Sequence, residues 1–408
     1  MSHRLAILRP LSARDFRLLG IGQSTSMLGD GAFYVALAWQ VYDLSPQPTA
    51  LAVVLAARSI PMLLLLLVGG AMTDRFPRRM VMLASDVIRG AAAALLAVLA
   101  ATGSLELWHV VVLAAVFGAA DAFFYPAYTS ILPEILDTDL LLQANALESV
   151  VRPLALRMAG PALGGFVVAR IGTAGAFAFD ALTFGVSVAA LLAMQARGAP
   201  SGARSGIFDE VREGYRYARA ESWIWVTLVV AAFSVLFAVG PFDVLMPLIV
   251  RDRLRAGADA YGAIIAASGA GGILAALVVS QLGNPRRRIS AMFLAWGIGS
   301  LAFGAMALPR HLVWAVLVAA LTGVAFEYGG VLWSTMLQEW VPGRLLGRVR
   351  SLDFLVSFGL MPVSYALTGP VATAVGPTLT LALGGALSGA VWFVGLFWPR
   401  VRERERRR

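Results

Sequence analysis

Apolar runs of about 20 residues, separated by short polar punctuation, fill this chain from Phe16 onward. A helix rises about 1.5 Å per residue, so about 20 apolar residues cross a hydrocarbon core of about 30 Å. The pattern predicts twelve such segments, at roughly 16–42, 50–72, 80–102, 107–131, 142–170, 173–195, 222–248, 259–282, 290–308, 311–337, 345–372 and 377–398. Their connections are short and broken by Pro or Gly, as at Ser45-Pro46-Gln47-Pro48 and Thr102-Gly103-Ser104. The longest, 196–221, begins with Gly198, Pro200, Ser201 and Gly202. It then becomes an amphipathic stretch, Phe208 to Tyr217, expected to lie along the cytoplasmic interface. Met1 to Arg17 lacks the apolar core of a cleavable signal peptide, so the first segment is expected to stay. The fold class read from this is an all-α membrane protein. Its expected organisation is a six-helix half over 1–195, a central loop over 196–221, and a second half with a basic tail over 222–408.

Composition narrows the class further. The 408 residues are 59% hydrophobic and 14% charged, with a mean hydropathy of +0.77. Soluble domains carry about 25% charged residues. Without cysteine there is no disulfide, thiolate metal site or cysteine nucleophile, and His3, His109 and His311 are scattered. No G-x-x-x-x-G-K-[ST], G-x-S-x-G or H-E-x-x-H pattern occurs, so neither an enzyme nor a cofactor is expected.

All 33 basic residues are Arg, which with the Ala and Gly usage points to a GC-rich bacterial genome. Their positions argue for topology rather than nucleic-acid binding. With both termini inside, 24 arginines fall in cytoplasmic segments. Five fall outside (Arg170, Arg251, Arg253, Arg255, Arg310) and four within spans (Arg58, Arg89, Arg152, Arg157). That asymmetry sets the orientation, with both ends in the bacterial cytoplasm and the chain multi-pass in the inner membrane.

The halves echo each other at a constant spacing of 205 residues. Glu134 matches Glu339, Glu148 matches Asp353, and Gly164 matches Gly369. The loop Gly69-Gly70-Ala71-Met72-Thr73-Asp74-Arg75-Phe76-Pro77-Arg78-Arg79 packs one acid and three arginines between two apolar segments. A weaker echo, Gly283-Asn284-Pro285-Arg286-Arg287-Arg288, lacks the acid.

The pattern G-x-x-x-D-R-x-x-R-R resembles the loop between helices two and three of the major facilitator superfamily. That resemblance implies two pseudo-symmetric six-helix halves. It also implies a cytoplasmic gating latch formed here by Gly70, Asp74, Arg75, Arg78 and Arg79. Gly160-Pro161-Ala162-Leu163-Gly164-Gly165 resembles the G-P-x-x-G-G motif of proton antiporters. Close packing by Gly164 is expected to exclude Leu and to tolerate Ala much better. Phe124-Tyr125-Pro126-Ala127, Leu132-Pro133-Glu134 and Ala144-Asn145-Ala146-Leu147 resemble the bacterial macrolide-efflux and enterobactin-exporter branch of drug:proton antiporters. One departure stands out. Such antiporters often have an arginine in the fourth span before a glycine like Gly118, and Leu107 to Ile131 contains none. Weight shifts to the carboxylates, or to Arg152 and Arg157.

Charges within spans are costly and normally face a bundle interior or a wet cavity. The first, fourth, seventh and tenth predicted spans each hold one acid away from their ends: Asp30, Asp121, Asp243 and Glu327. In the resembled fold these four helices line the central cavity, which makes the acids proton-coupling candidates. Arg58 is a potential cross-helix partner for Asp30. Glu148–Arg152 and Asp86–Arg89, at helical spacing, read as gating pairs, while Asp180 and Asp353 stay open. Tyr34, Phe124, Tyr125, Phe326 and Trp333 are candidates for a substrate cavity.

The expected function is export of a lipophilic drug, antibiotic or natural product by alternating access and proton antiport. The alternatives are a dedicated exporter of an endogenous siderophore or metabolite, and a non-transporting membrane sensor or scaffold. The expected partners are the lipid bilayer, a small-molecule substrate and protons, with no nucleic acid, and a monomer as the functional unit.

Overall fold

The computed structural model describes residues 6–195, 207–282, 285–398 and 400–406. After a short 3-10 turn, the first unit of helix is α1 (Arg14–Leu44), followed by α2 (Pro48–Arg75), α3 (Arg78–Ala101) and α4 (Leu107–Ile135). Then come α5 (Leu141–Pro153), a π-helical stretch (Leu154–Ala159) and α6 (Gly160–Ala193). After α7 (Ile207–Ala220) come α8 (Ser222–Asp252), α9 (Ala258–Leu282), α10 (Arg288–Ala305) and α11 (Leu312–Trp340). The series ends with α12 (Gly343–Phe358), α13 (Met361–Val375), α14 (Pro377–Leu396) and α15 (Glu403–Arg406). No strand occurs among the described residues.

Local chemistry sets several boundaries. At the start of α4 the Glu106 N–H donates to His109 Nδ1 at 3.0 Å, closing a capping box. Gly172 (φ 79°, ψ 177°) breaks α6 into two helical segments in a conformation that side chains with a Cβ rarely adopt. Gly376 (φ 88°) makes the same kind of break between α13 and α14. The predicted segment 142–170 is therefore interrupted by the π-helical stretch after Pro153, and 345–372 is divided into α12 and α13.

Among the described residues, ten segments are long and apolar enough to cross a membrane. One of them, Leu141–Ala193, runs for 53 residues and contains the Gly172 break. α1 is not among the ten, although it is 31 residues long. It carries Gln23, Ser24, Thr25, Ser26 and Asp30, and its buried positions pack largely on α6 rather than on lipid.

The chain divides into two compact units. Unit 1 comprises Met1–Pro46, Val53–Ala203 and Gly257–Ala266; unit 2 comprises Gln47–Ala52, Arg204–Ala256 and Ala267–Arg408. In unit 1, α1 and α3 both pack along α6, and an apolar core gathers Phe16, Leu19, Met82, Phe124, Tyr128 and Ile131. In unit 2, α10 packs on α11 and α14, and its core includes Trp223, Phe293, Trp333, Met336 and Trp392. α7 is attached to unit 2 by its buried Ala218 and by an ion pair between Glu213 and Arg348. Residues 196–206 of the predicted central loop lie outside the described residues.

The sequence repeat reappears as repeated contacts. In unit 1 the Tyr128 hydroxyl donates to Glu148 Oε1 at 2.8 Å; in unit 2, 205 residues on, Trp333 Nε1 donates to Asp353 Oδ2 at 2.9 Å. Arg78 pairs with Glu134 at 2.8 Å, and Arg288 pairs with Glu339. Gly118 lies against the Arg58 backbone, and Gly323, again 205 residues later, lies against that of Ser268.

Gly164 packs so closely on α1 that an added Cβ would come within 2.7 Å of the Ala32 carbonyl oxygen, with the Ala32 Cα nearer still. Ala, although smaller than Leu, would therefore also meet an obstacle there. The obstacle is backbone, which cannot swing aside as a side chain would.

Candidate functional site

Unit 1 contains a buried ion cluster that brings together α1, α2, α3 and α4. At its centre Arg89 is only 2% exposed. Its Nη2 pairs with Asp86 Oδ1, and its Nη1 lies 3.2 Å from Asp121 Oδ1 and 4.0 Å from Asp30 Oδ2. Arg58 Nη2 donates to the other oxygen of Asp121 at 3.0 Å. Asp86 also accepts from the Ser187 hydroxyl at 2.7 Å, which in turn accepts from Gln23 Nε2 at 3.0 Å.

Aromatic faces complete the cage. The Arg89 guanidinium sits 4.1 Å from the Phe124 ring centre and 4.7 Å from that of Phe184, while Arg58 lies 4.7 Å over Phe117. Such contacts stabilise a desolvated cation by about 0.5–2 kcal/mol each. The cluster is imperfectly matched. Among the described residues, Asp30 Oδ1 and Asp180 Oδ2 are buried without a hydrogen-bond partner.

This arrangement answers the absence of an arginine in the fourth span. Gly118 has no side chain, so α4 approaches the α2 backbone at Arg58. One turn further on, Asp121 is then level with the Arg58 guanidinium. The charge comes to α4 from α2 and α3 instead of from α4 itself. Arg58 thus meets Asp121 rather than Asp30, and Arg89 is the cation nearest Asp30.

The α4 residues Asp121, Phe124, Tyr125 and Tyr128 recur at helical spacing. Phe124 stacks on Tyr128 at 5.8 Å, and Tyr128 reaches Glu148 of α5. Arg152 lies 5.6 Å from the Tyr125 ring centre. A row of rings therefore leads from the buried cations to the Glu148 carboxylate, the edge of a pocket between α1, α4 and α5.

The remaining candidates fall elsewhere. In unit 2, Asp243 accepts from the Tyr365 hydroxyl at 2.7 Å, and Glu327 packs over Gly272 of α9. Of the latch residues, Arg78 also donates to the Ser130 carbonyl at 2.7 Å, Arg79 donates to that of Met194 at 2.7 Å, and Arg75 is exposed. The side chain of Asp74 lies outside the described residues. Gly70 faces open space, whereas its neighbour Gly69 abuts the Ala122 backbone, a contact that spacing alone did not single out. Gly160 and Pro161 pack against Gly31, and Gly165 against Ala258 within unit 1. Phe124 and Trp333 are buried in the two cores, Phe326 lies edge-on to Phe303, and Tyr34 is half-buried.

Residues 5–406 match the family described as transmembrane secretion effector, within the major facilitator group. The chain is a member of that family. It is a multi-pass bacterial membrane transporter with the major facilitator fold. It is 28% identical to the multidrug efflux pump Tap of Mycolicibacterium fortuitum, over 93% of this chain and 94% of that protein. It is 22% identical to macrolide efflux protein A of Streptococcus pyogenes, over 95% and 96% respectively. A mutant of the nucleoside transporter NupG superposes with a TM-score of 0.73 at 12% identity, covering 94% of this chain and all of the other. A bacterial homologue of the human lysosomal transporter Spinster gives 0.71 at 13% identity, covering 97% and 98%.

Proposed function

We propose that this transporter is a proton-driven exporter of lipophilic small molecules (a drug, an antibiotic or a natural product) of the drug:proton antiporter branch. It works by alternating access from the bacterial inner membrane, as a monomer with both termini cytoplasmic. The proposal includes twelve spans in two six-helix halves, bounded at 195 and 222, and the duplicated contacts described above support that division. The efflux relatives and the arginine distribution support direction and orientation.

The observation that carries the coupling part is the buried cluster around Arg89. Three carboxylates converge on one guanidinium, and Asp30 keeps an unpartnered oxygen able to take a proton. Among the coupling candidates Asp30, Glu327, Asp121 and Asp243, Asp30 therefore leads. The latch residues Gly70, Asp74, Arg75, Arg78 and Arg79 and the Gly160, Pro161, Gly164, Gly165 motif are assigned to gating.

Efflux of a fluorescent lipophilic probe from everted vesicles, with and without an imposed pH gradient, tests the reading. Asp30→Asn or Glu327→Gln is expected to abolish uphill export and spare downhill exchange, because binding and rocking do not require the proton. Wild-type pH dependence in the neutral variants of all four acids would refute coupling through them.

A further inference from the structure

The pocket between α1, α4 and α5 lies wholly within unit 1 and encloses about 380 Å3, a volume suited to a small organic ligand. Its wall is mostly apolar, with Phe16, Ile21, Leu147 and Val151, and its charged groups are Arg17, Arg152 and Glu148. Their balance is uneven. Two guanidiniums face one carboxylate, and that carboxylate already accepts from Tyr128.

Each guanidinium has five N–H donors. Arg17 donates from Nη1 to the Leu11 carbonyl at 3.1 Å, and Arg152 rests against the Tyr125 ring. Both therefore retain donors for an incoming group. The Gln23 amide, by contrast, is turned to Ser187.

We infer that this pocket is the loading site for exported cargo, and that it selects an amphiphile whose apolar body carries a carboxylate, sulfonate or phosphate over a lipophilic cation. The inference rests on the exporter reading above and adds the chemical class of the cargo. A planar guanidinium pairs with a carboxylate or phosphate through two parallel hydrogen bonds. A lipophilic cation would meet net positive charge, with one tied carboxylate as its only anionic contact among the described residues of the pocket. The apolar wall takes the body of the ligand. The ring row through Tyr128 and Phe124 places this pocket next to the Arg89 cluster, where cargo and proton could influence each other.

The test uses purified full-length protein in phosphatidylcholine nanodiscs and two rigid aromatic probes, 1-anilinonaphthalene-8-sulfonate and tetraphenylphosphonium. The sulfonate is expected to bind more tightly. Arg152→Gln should weaken it by about tenfold or more, as expected for loss of a charged hydrogen bond. Glu148→Gln keeps an acceptor for Tyr128 but removes the repulsion, and should tighten sulfonate binding. Ile21→Trp fills the pocket without altering charge and should abolish binding. Preference for the phosphonium, or sulfonate binding indifferent to both Arg152→Gln and Ile21→Trp, would overturn the inference.

An anionic phospholipid shares this chemistry, so the measurement is repeated in discs containing phosphatidylglycerol. Unchanged sulfonate affinity supports cargo; its displacement assigns the pocket to lipid and overturns the cargo assignment. Charge-selective binding without any gradient-driven vesicle flux would instead remove the exporter reading and leave the acidic-amphiphile site standing.

Discussion

Replacing Arg89 by Gln removes the cation that Asp86, Asp121 and Asp30 share. Breaking one partner out of a buried ion pair typically costs about 3–5 kcal/mol, because the other charge stays buried and uncompensated. The structure says which charge that is. Among the described residues, Asp121 keeps Arg58 at 3.0 Å, whereas Asp86, fully buried, keeps only the Ser187 hydroxyl at 2.7 Å. The penalty should therefore be concentrated at Asp86. Adding Asp86→Asn to Arg89→Gln should recover about 2 kcal/mol or more, while adding Asp121→Asn should recover little, because it also strands Arg58. Unfolding of each variant in mixed micelles, followed by tryptophan fluorescence, gives the differences as a double-mutant cycle. Equal rescue by the two Asn substitutions, or a cost below about 1 kcal/mol for Arg89→Gln alone, would refute this account of the cluster.

Two other outcomes follow from contacts already described. Gly164→Ala should destabilise the protein by about 1–3 kcal/mol and impair transport, since the new Cβ meets Ala32 backbone; unaltered melting of the purified variant would contradict it. Tyr128→Phe and Trp333→Phe each remove the donor to a half-buried carboxylate, and each should cost about 1–3 kcal/mol; a variant as stable as the parent would show that its repeated contact carries no weight.

Much of this protein is written along one dimension. Span length, the absence of catalytic motifs and the bias of arginine placement follow from local composition, since the cost of burying a charge or exposing an apolar run is already decided residue by residue. Helix limits such as α3, α4 and α14 lie within a few residues of the predicted segments for that reason. The 205-residue repeat is legible too, and the Glu148/Asp353 and Glu134/Glu339 matches coincide with contacts made in both units. The interruption at Leu154–Ala159 was harder to read, because apolar residues continue on both sides of it while the backbone changes course, whereas the break at Gly172 falls between the predicted segments 142–170 and 173–195.

The partnership of charges was decided elsewhere. Sequence could list Asp30, Arg58, Asp86, Arg89 and Asp121 as buried charges, and helical spacing could join Asp86 to Arg89. It could not say that Arg58 belongs to Asp121, because that pair depends on how closely two helices approach and at what depth. Gly118 against the Arg58 backbone sets both. Likewise no spacing rule links Tyr128 on α4 to Glu148 on α5, or brings Arg17, Arg152 and Glu148 around one pocket. Hydrophobicity sums along a chain and so can be read from it, but an ion pair or a pocket exists only where separate helices bring particular atoms within a few ångströms.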